Sequence, residues 1–161
     1  MGASLYDDDI LAWSEQQSAA LRRLASRPEL SNVVDWPNVI EEIECLGRSE
    51  WKGVEGELRN ALAHILKGYC DPGSLSRVAW AIDTDRFLDN ARSDYRASMR
   101  QQIEVECAWA RAFRDATREL RRYGVAIPPK IPNSSPFTLD ELLEPSFSYD
   151  TALMRLRQGA D

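Results

Sequence analysis

The residues best placed to do chemistry are acids at unusual helical positions. On a wheel for the segment from Pro37 to Tyr69, Glu44 falls roughly 40° from the centre of the apolar stripe at Leu58. A carboxylate there needs a hydrogen bond, a cation or a proton, because isolated burial costs several kcal/mol. Glu50, Glu57 and His64 follow one another at seven-residue steps and form a second line along the edge of that stripe. Further along, Glu106 sits between Ile103 and Phe113 in what reads as the middle of an apolar face, against the hydrophobic pattern. Carboxylates on facing helices with a histidine near them bind a divalent cation, share a proton or accept an arginine. The plainer expectation is a structural network, with Glu44 or Glu106 paired to an arginine and His64 bonded to a backbone carbonyl or to Glu57.

A metal reading rests on Glu41 and Glu44, with a second acidic pair to come from Asp83, Asp85 or Asp89. That arrangement is similar to the all-helical nucleoside-triphosphate pyrophosphatases, and the resemblance implies magnesium and a hydrolase. Other chemistries are excluded more firmly. The single histidine rules out triple-histidine metal sites and a di-iron site built from two Glu-x-x-His pairs. No Gly-x-Ser-x-Gly and no phosphate loop is present. Cys45 lies next to Glu44, and a thiol flanked by acids is disfavoured as a thiolate. Cys70 and Cys107 read as packing residues, and three widely spaced cysteines make neither a disulfide framework nor a zinc site.

The elements that must position these groups read as long helices. Tyr6, Ile10, Trp13, Gln17, Leu21 and Leu24 recur at three- and four-residue steps, which predicts one helix from Leu5 to Arg27. A second stripe runs through Ile40, Ile43, Gly47, Trp51, Val54, Leu58, Ala61, Ile65 and Tyr69. It lies between the Asp35-Trp36-Pro37 start signal and the Asp71-Pro72-Gly73 stop, and predicts an unbroken helix from Pro37 to Tyr69. Four glycines inside it mark a kink or close helix contacts. A third helix, from near Ser74 to near Ala91, takes Leu75, Val78, Ala79 and Ile82 as its inner face. A fourth, capped near Ser93, takes Tyr95, Met99, Ile103, Ala110, Phe113 and Leu120 and stops at Gly124. Val125 to Phe137 holds four prolines and reads as an extended strap. Thr138 caps a short helix from Leu139 to Leu143, and a last one spans Asp150 to Gln158. The expected fold is therefore all-α, an antiparallel bundle of about four long helices with a proline-rich strap and short C-terminal helices.

With 161 residues, 43% hydrophobic and 29% charged, the chain has the size and composition of one globular domain. It is expected to fold as one unit over 1–161. No apolar run approaches the ~18 residues of a membrane span, and the acidic first residues do not form a secretory signal, so a cytoplasmic protein is expected. Charge is uneven: residues 1–60 carry net −6, and residues 86–123 carry net +3 through nine arginines. An acidic chain of pI near 4.9 is a poor general nucleic-acid binder. Binding through Arg92, Arg96, Arg100, Arg111, Arg114 and Arg118 is accordingly the third-ranked function.

Tyr6-Asp7 with Asp9 and Ala12-Trp13, the run Asn38 to Glu50, the set His64, Leu66, Lys67, Tyr69 and Pro72, and Pro136 to Leu143 stand in an order that resembles the bacterial domain-of-unknown-function family 29. The resemblance spans roughly residues 5–147 and leaves 148–161 as an extension. Segment three departs from the pattern, keeping only Trp80 clearly. The resemblance implies an all-helical cytoplasmic bacterial protein and no known activity. The expected function is a non-enzymatic interaction or regulatory module without a cofactor, working on a protein partner or as a homodimer. An exposed C-terminal tail would then pack on that partner. The metal-dependent hydrolase is the alternative, so whether the chain is an enzyme stays open.

Overall fold

The computed structural model describes residues 4–27, 29–30 and 33–159. Among them are seven α-helices, one 3-10 helix and no strand, the all-α class that the sequence predicts. The helices are α1 Leu5–Asp8, α2 Ile10–Ala25, α3 Trp36–Cys70, α4 Arg77–Asp94, α5 Val105–Arg122, α6 Leu139–Leu143 and α7 Tyr149–Gln158, with the 3-10 turn Ala97–Gln101 between α4 and α5. The sequence reads as one domain. In the structure, contacts gather into two compact units: Met1–Gly53 with Tyr95–Ile103, and Val54–Asp94 with Glu104–Asp161. Periodicity does not separate them, because α3 contributes to both without a break.

In the first unit the predicted helix from Leu5 is divided. Asp9 ends α1 and caps α2, its carboxylate accepting from the Ala12 amide at 2.9 Å and from the Ser98 hydroxyl at 2.8 Å. The buried face of α2 is Leu11, Ser14 and Ser18, while Tyr6 and Leu24 of the expected stripe are exposed. Gly47 of α3 explains the choice: a Cβ there would run into Ser14 and Leu11, so the helices approach where both carry small side chains. Arg22 and Glu44 pair late in α2 and early in α3, while Ser14 meets Gly47, so these two segments run antiparallel.

In the second unit Val54, Leu58, Ala61, Leu62, Ile65 and Leu66 of α3 form the centre of the core. Asn90 of α4 reaches Glu57 and Phe87 stacks on His64, so α4 returns antiparallel to α3. Arg111 pairs with Glu55 and Glu119 with Lys67, so α5 runs parallel to α3. Two faces differ from expectation. In α4 the buried residues are Thr84, Leu88 and Ala91, and the expected inner residues Leu75, Val78 and Ile82 are exposed. In α5 they are Ala108, Trp109, Ala112, Ala116, Thr117 and Leu120, with Ala110 and Phe113 turned outward. The helix assumed continuous from Ser93 is a 3-10 turn, a gap at Gln102–Glu104 and then α5, so the wheel drawn through it loses phase.

The strap and the C-terminal helices close this second core. Trp109, 1% exposed, donates from Nε1 to the Pro132 carbonyl at 3.1 Å. Arg92 donates to the carbonyls of Leu142, Glu144 and Phe147 at 3.3, 2.8 and 2.7 Å. Thr138 and Glu141 cap α6 reciprocally. Far from being an exposed tail, α7 buries Tyr149, Ala152, Leu153 and Leu156. Its Tyr149 hydroxyl lies where a side chain at Gly68 would be.

Candidate functional site

The acids singled out by the sequence separate into ion pairs and strap contacts. Glu44, 27% exposed in its side chain, pairs with Arg22, and Glu41 with Arg48. Glu50 is exposed. Glu57 accepts from the Asn90 amide at 3.4 Å. Asp83 pairs with Arg86 at 2.9 Å, and Asp85 accepts from the Tyr149 backbone amide at 3.0 Å, capping the entry to α7. Glu106 is on the surface, correcting its expected place inside the bundle. It accepts from the Ser135 amide at 2.9 Å and so fastens the strap. Its wheel position depended on the lost register of α5. Among the described residues, no three of His, Cys, Asp or Glu come together as a metal ion would require.

His64 does join a polar cluster, with partners the sequence reading did not name. Its ring stacks edge-on against Phe87, with centroids 5.5 Å apart, and lies near the Trp80 backbone, while Nδ1 is buried without a partner. Burial, reinforced by the Lys67 charge, lowers its pKa below the ordinary value. One turn on, Lys67 is 5% exposed. Its ammonium donates to Glu119 Oε2 at 2.9 Å and lies 5.6 Å from the Trp80 ring centroid. This is a desolvated ammonium satisfied by one carboxylate and one indole face, and it needs no further chemistry. The signal available in sequence was a lysine on a wheel position shared with core residues.

The arginines named for a nucleic-acid face are partly consumed. Arg92 holds the backbone before α7, Arg96 donates to the Asp8 carbonyl at 2.8 Å, and Arg111 pairs with Glu55. Arg114 and Arg118 point into solvent.

What the sequence reading missed is a groove between α4 and α7, of about 680 Å³. Its floor is Val78, Ala81, Ile82, Leu153 and Met154, with Arg77, Asp150 and Arg157 among its rim residues. Val78 and Ile82 are each 65% exposed and Met154 56%, an apolar concentration that a surface otherwise covers. The groove arises because α4 carries two apolar faces and only one is used against α3. Among the described residues, the side chains of Arg77 and Arg157 make no hydrogen bond or ion pair, though both influence Tyr149 at a distance. No helix among the described residues is long and apolar enough to cross a membrane.

An all-helical chain with these motifs matches a family model, "Domain of unknown function DUF29", over residues 5–148. The chain belongs to that family. No curated protein matches it. It is similar to the crystal structure of an alpha-helical protein of unknown function from Rhodospirillum rubrum. The two share 26% identity over 96% of this chain and 99% of that one, with a TM-score of 0.84.

Proposed function

We propose that this chain is a helical interaction module that docks an amphipathic, acidic helix of a protein partner in the α4–α7 groove. The observation that carries the reading is the open apolar floor of Val78, Ile82 and Met154 between the two rim arginines Arg77 and Arg157. Helix-in-groove recognition uses such a floor for the apolar anchors of the incoming helix. Unpaired guanidiniums at the rim favour carboxylates beside those anchors.

The test is fluorescence polarisation with two labelled helical peptides, one patterned from Leu and Glu, the other from Leu and Lys. The Leu/Glu peptide binds the wild-type chain, Ile82→Asp abolishes binding, and R157E weakens the acidic peptide while strengthening the basic one. Equal binding of both peptides, or binding untouched by I82D, overturns the proposal. Sedimentation equilibrium on the same samples covers the homodimer. A dimer that I82D converts to monomer assigns the groove to a second copy instead.

A further inference from the structure

The groove between α4 and α7 has a direction. Arg92 of α4 holds the carbonyls of Leu142, Glu144 and Phe147, and Asp85, two turns earlier, takes the Tyr149 amide. The chain entering α7 therefore travels along α4 toward its N-terminus, and α7 runs antiparallel to α4. Eight residues separate Asp85 from Arg77, and eight separate Tyr149 from Arg157. At 1.5 Å per residue both steps are about 12 Å, so Arg77 and Arg157 come level at one end of the groove, one on each wall.

The charges divide in the same way. Arg77, Asp150 and Arg157 are the charged side chains that line the groove among the described residues. The two guanidiniums, both exposed and without a hydrogen-bond or ion-pair partner there, stand where α4 begins and α7 finishes. The helix dipoles of the two walls oppose each other at that end, so the side chains set its sign, which is positive. At the other end are Asp150 and Asp85, whose two charges exceed the half-charge of the α7 N-terminus. Arg86, next to Asp85, is held by Asp83 at 2.9 Å. The apolar floor of Val78, Ile82 and Met154 thus lies between a positive end and a negative one.

A helix carries the matching polarity. Its last turn presents unsatisfied carbonyls, and a carboxylate where the chain ends, while its first turn presents unsatisfied amides. Resting on the docking reading above, we propose that the groove takes the C-terminal helix of a partner chain in one direction only. That helix lies antiparallel to α4 and parallel to α7, with its terminal carboxylate between Arg77 and Arg157 and its first turn at Asp85 and Asp150. Guanidiniums suit this end because their forked donors pair with carboxylates bidentately. Three helical turns measure about 16 Å, enough to reach from one charged end to the other.

The test is fluorescence polarisation of the full chain with a hydrocarbon-stapled, three-turn Leu/Glu helix in two forms. The forms differ only in the last group, a free carboxylate or a primary amide, and the staple keeps their helix content equal. The free acid binds about fivefold more tightly than the amide, and in the R77Q/R157Q double variant the difference falls below about twofold. Both arginines are exposed, so the double variant keeps its fold, which circular dichroism checks. A nitroxide on a side chain in the last turn of the peptide broadens the Arg77 and Arg157 amides more than those of Asp85 and Tyr149, and a nitroxide in the first turn reverses the order. Equal affinity for the two forms, a preference that survives in the double variant, or the opposite order of broadening overturns the direction while groove docking stands. Binding of neither form overturns the docking reading and the direction together.

Discussion

The Tyr149 hydroxyl fills the space beside Gly68 that a Cβ would take, so the start of α7 rests directly on the backbone of α3. That hydroxyl is buried and makes no hydrogen bond, and burial raises its pKa. Gly68→Ala is expected to displace the ring and cost about 1–3 kcal/mol by overpacking. Tyr149→Phe alone leaves stability within about 1 kcal/mol of wild type or raises it, since no partner is lost. Urea denaturation of both single variants and the double variant checks the pair, with Y149F recovering part of the G68A loss.

Arg92 is the hinge pin of the C-terminal third. Its guanidinium serves three carbonyls that Lys, with one point of charge and a different reach, cannot serve together. Arg92→Lys is expected to cost about 2 kcal/mol, the scale of losing charge-assisted hydrogen bonds at a mostly covered site. Amide exchange in residues 142–149 should accelerate more than exchange in α3.

At Glu106 a small effect is expected. Gln keeps an acceptor for the Ser135 amide, and the site is exposed, so Glu106→Gln changes unfolding free energy by no more than about 0.5 kcal/mol. A loss several times larger in urea denaturation would mean that the side chain has a buried cationic partner.

His64 sets an acid limit. Its folded pKa lies below the ordinary 6.5, so the unfolded chain binds more protons as pH falls through that value. The contribution is whole above pH 6.5 and is lost progressively as pH drops from there toward the lowered folded value. Between about pH 7.5 and about pH 5.5 the urea midpoint falls in the wild type and falls less in His64→Leu.

Those residues also show what periodicity can deliver. The long helix was legible from Pro37 to Tyr69 because one unbroken stripe lies between two proline signals, and α3 runs from Trp36 to Cys70. Thr138 as a cap gave α6 to the residue. Of the four glycines, Gly47 and Gly68 are close contacts, whereas Gly53 and Gly56 have open space beside them. The failures have two causes. Nothing in composition marks the gap at Gln102–Glu104, so the phase of α5 was lost and Glu106 was turned inward. In α4, Val78 and Ile82 make one apolar line, and Leu88 and Ala91 belong to another, so a wheel cannot say which one packs. The candidate site suffered from the same ambiguity, since the groove is the line that was assigned to the core. Glu44 pairs with Arg22, the kind of partner that the plainer reading named for it.

The double-faced α4 has a consequence for how the chain is made. Ribosomes deliver sequence from the N-terminus, so α4 emerges before the strap, α6 and α7 exist to lie against it. Until α7 has left the exit tunnel, α4 lacks the bond between Asp85 and the Tyr149 amide that ties it to the C-terminal helix. The last ten residues of helix then complete the arrangement: the Tyr149 amide bonds Asp85 of α4 and the Tyr149 ring rests on Gly68 of α3, while Val78 and Ile82 stay open to the outside. A nascent chain arrested near Tyr123 lacks the strap, α6 and α7, leaves more apolar surface open than the finished protein, and would be a better client for a holding chaperone.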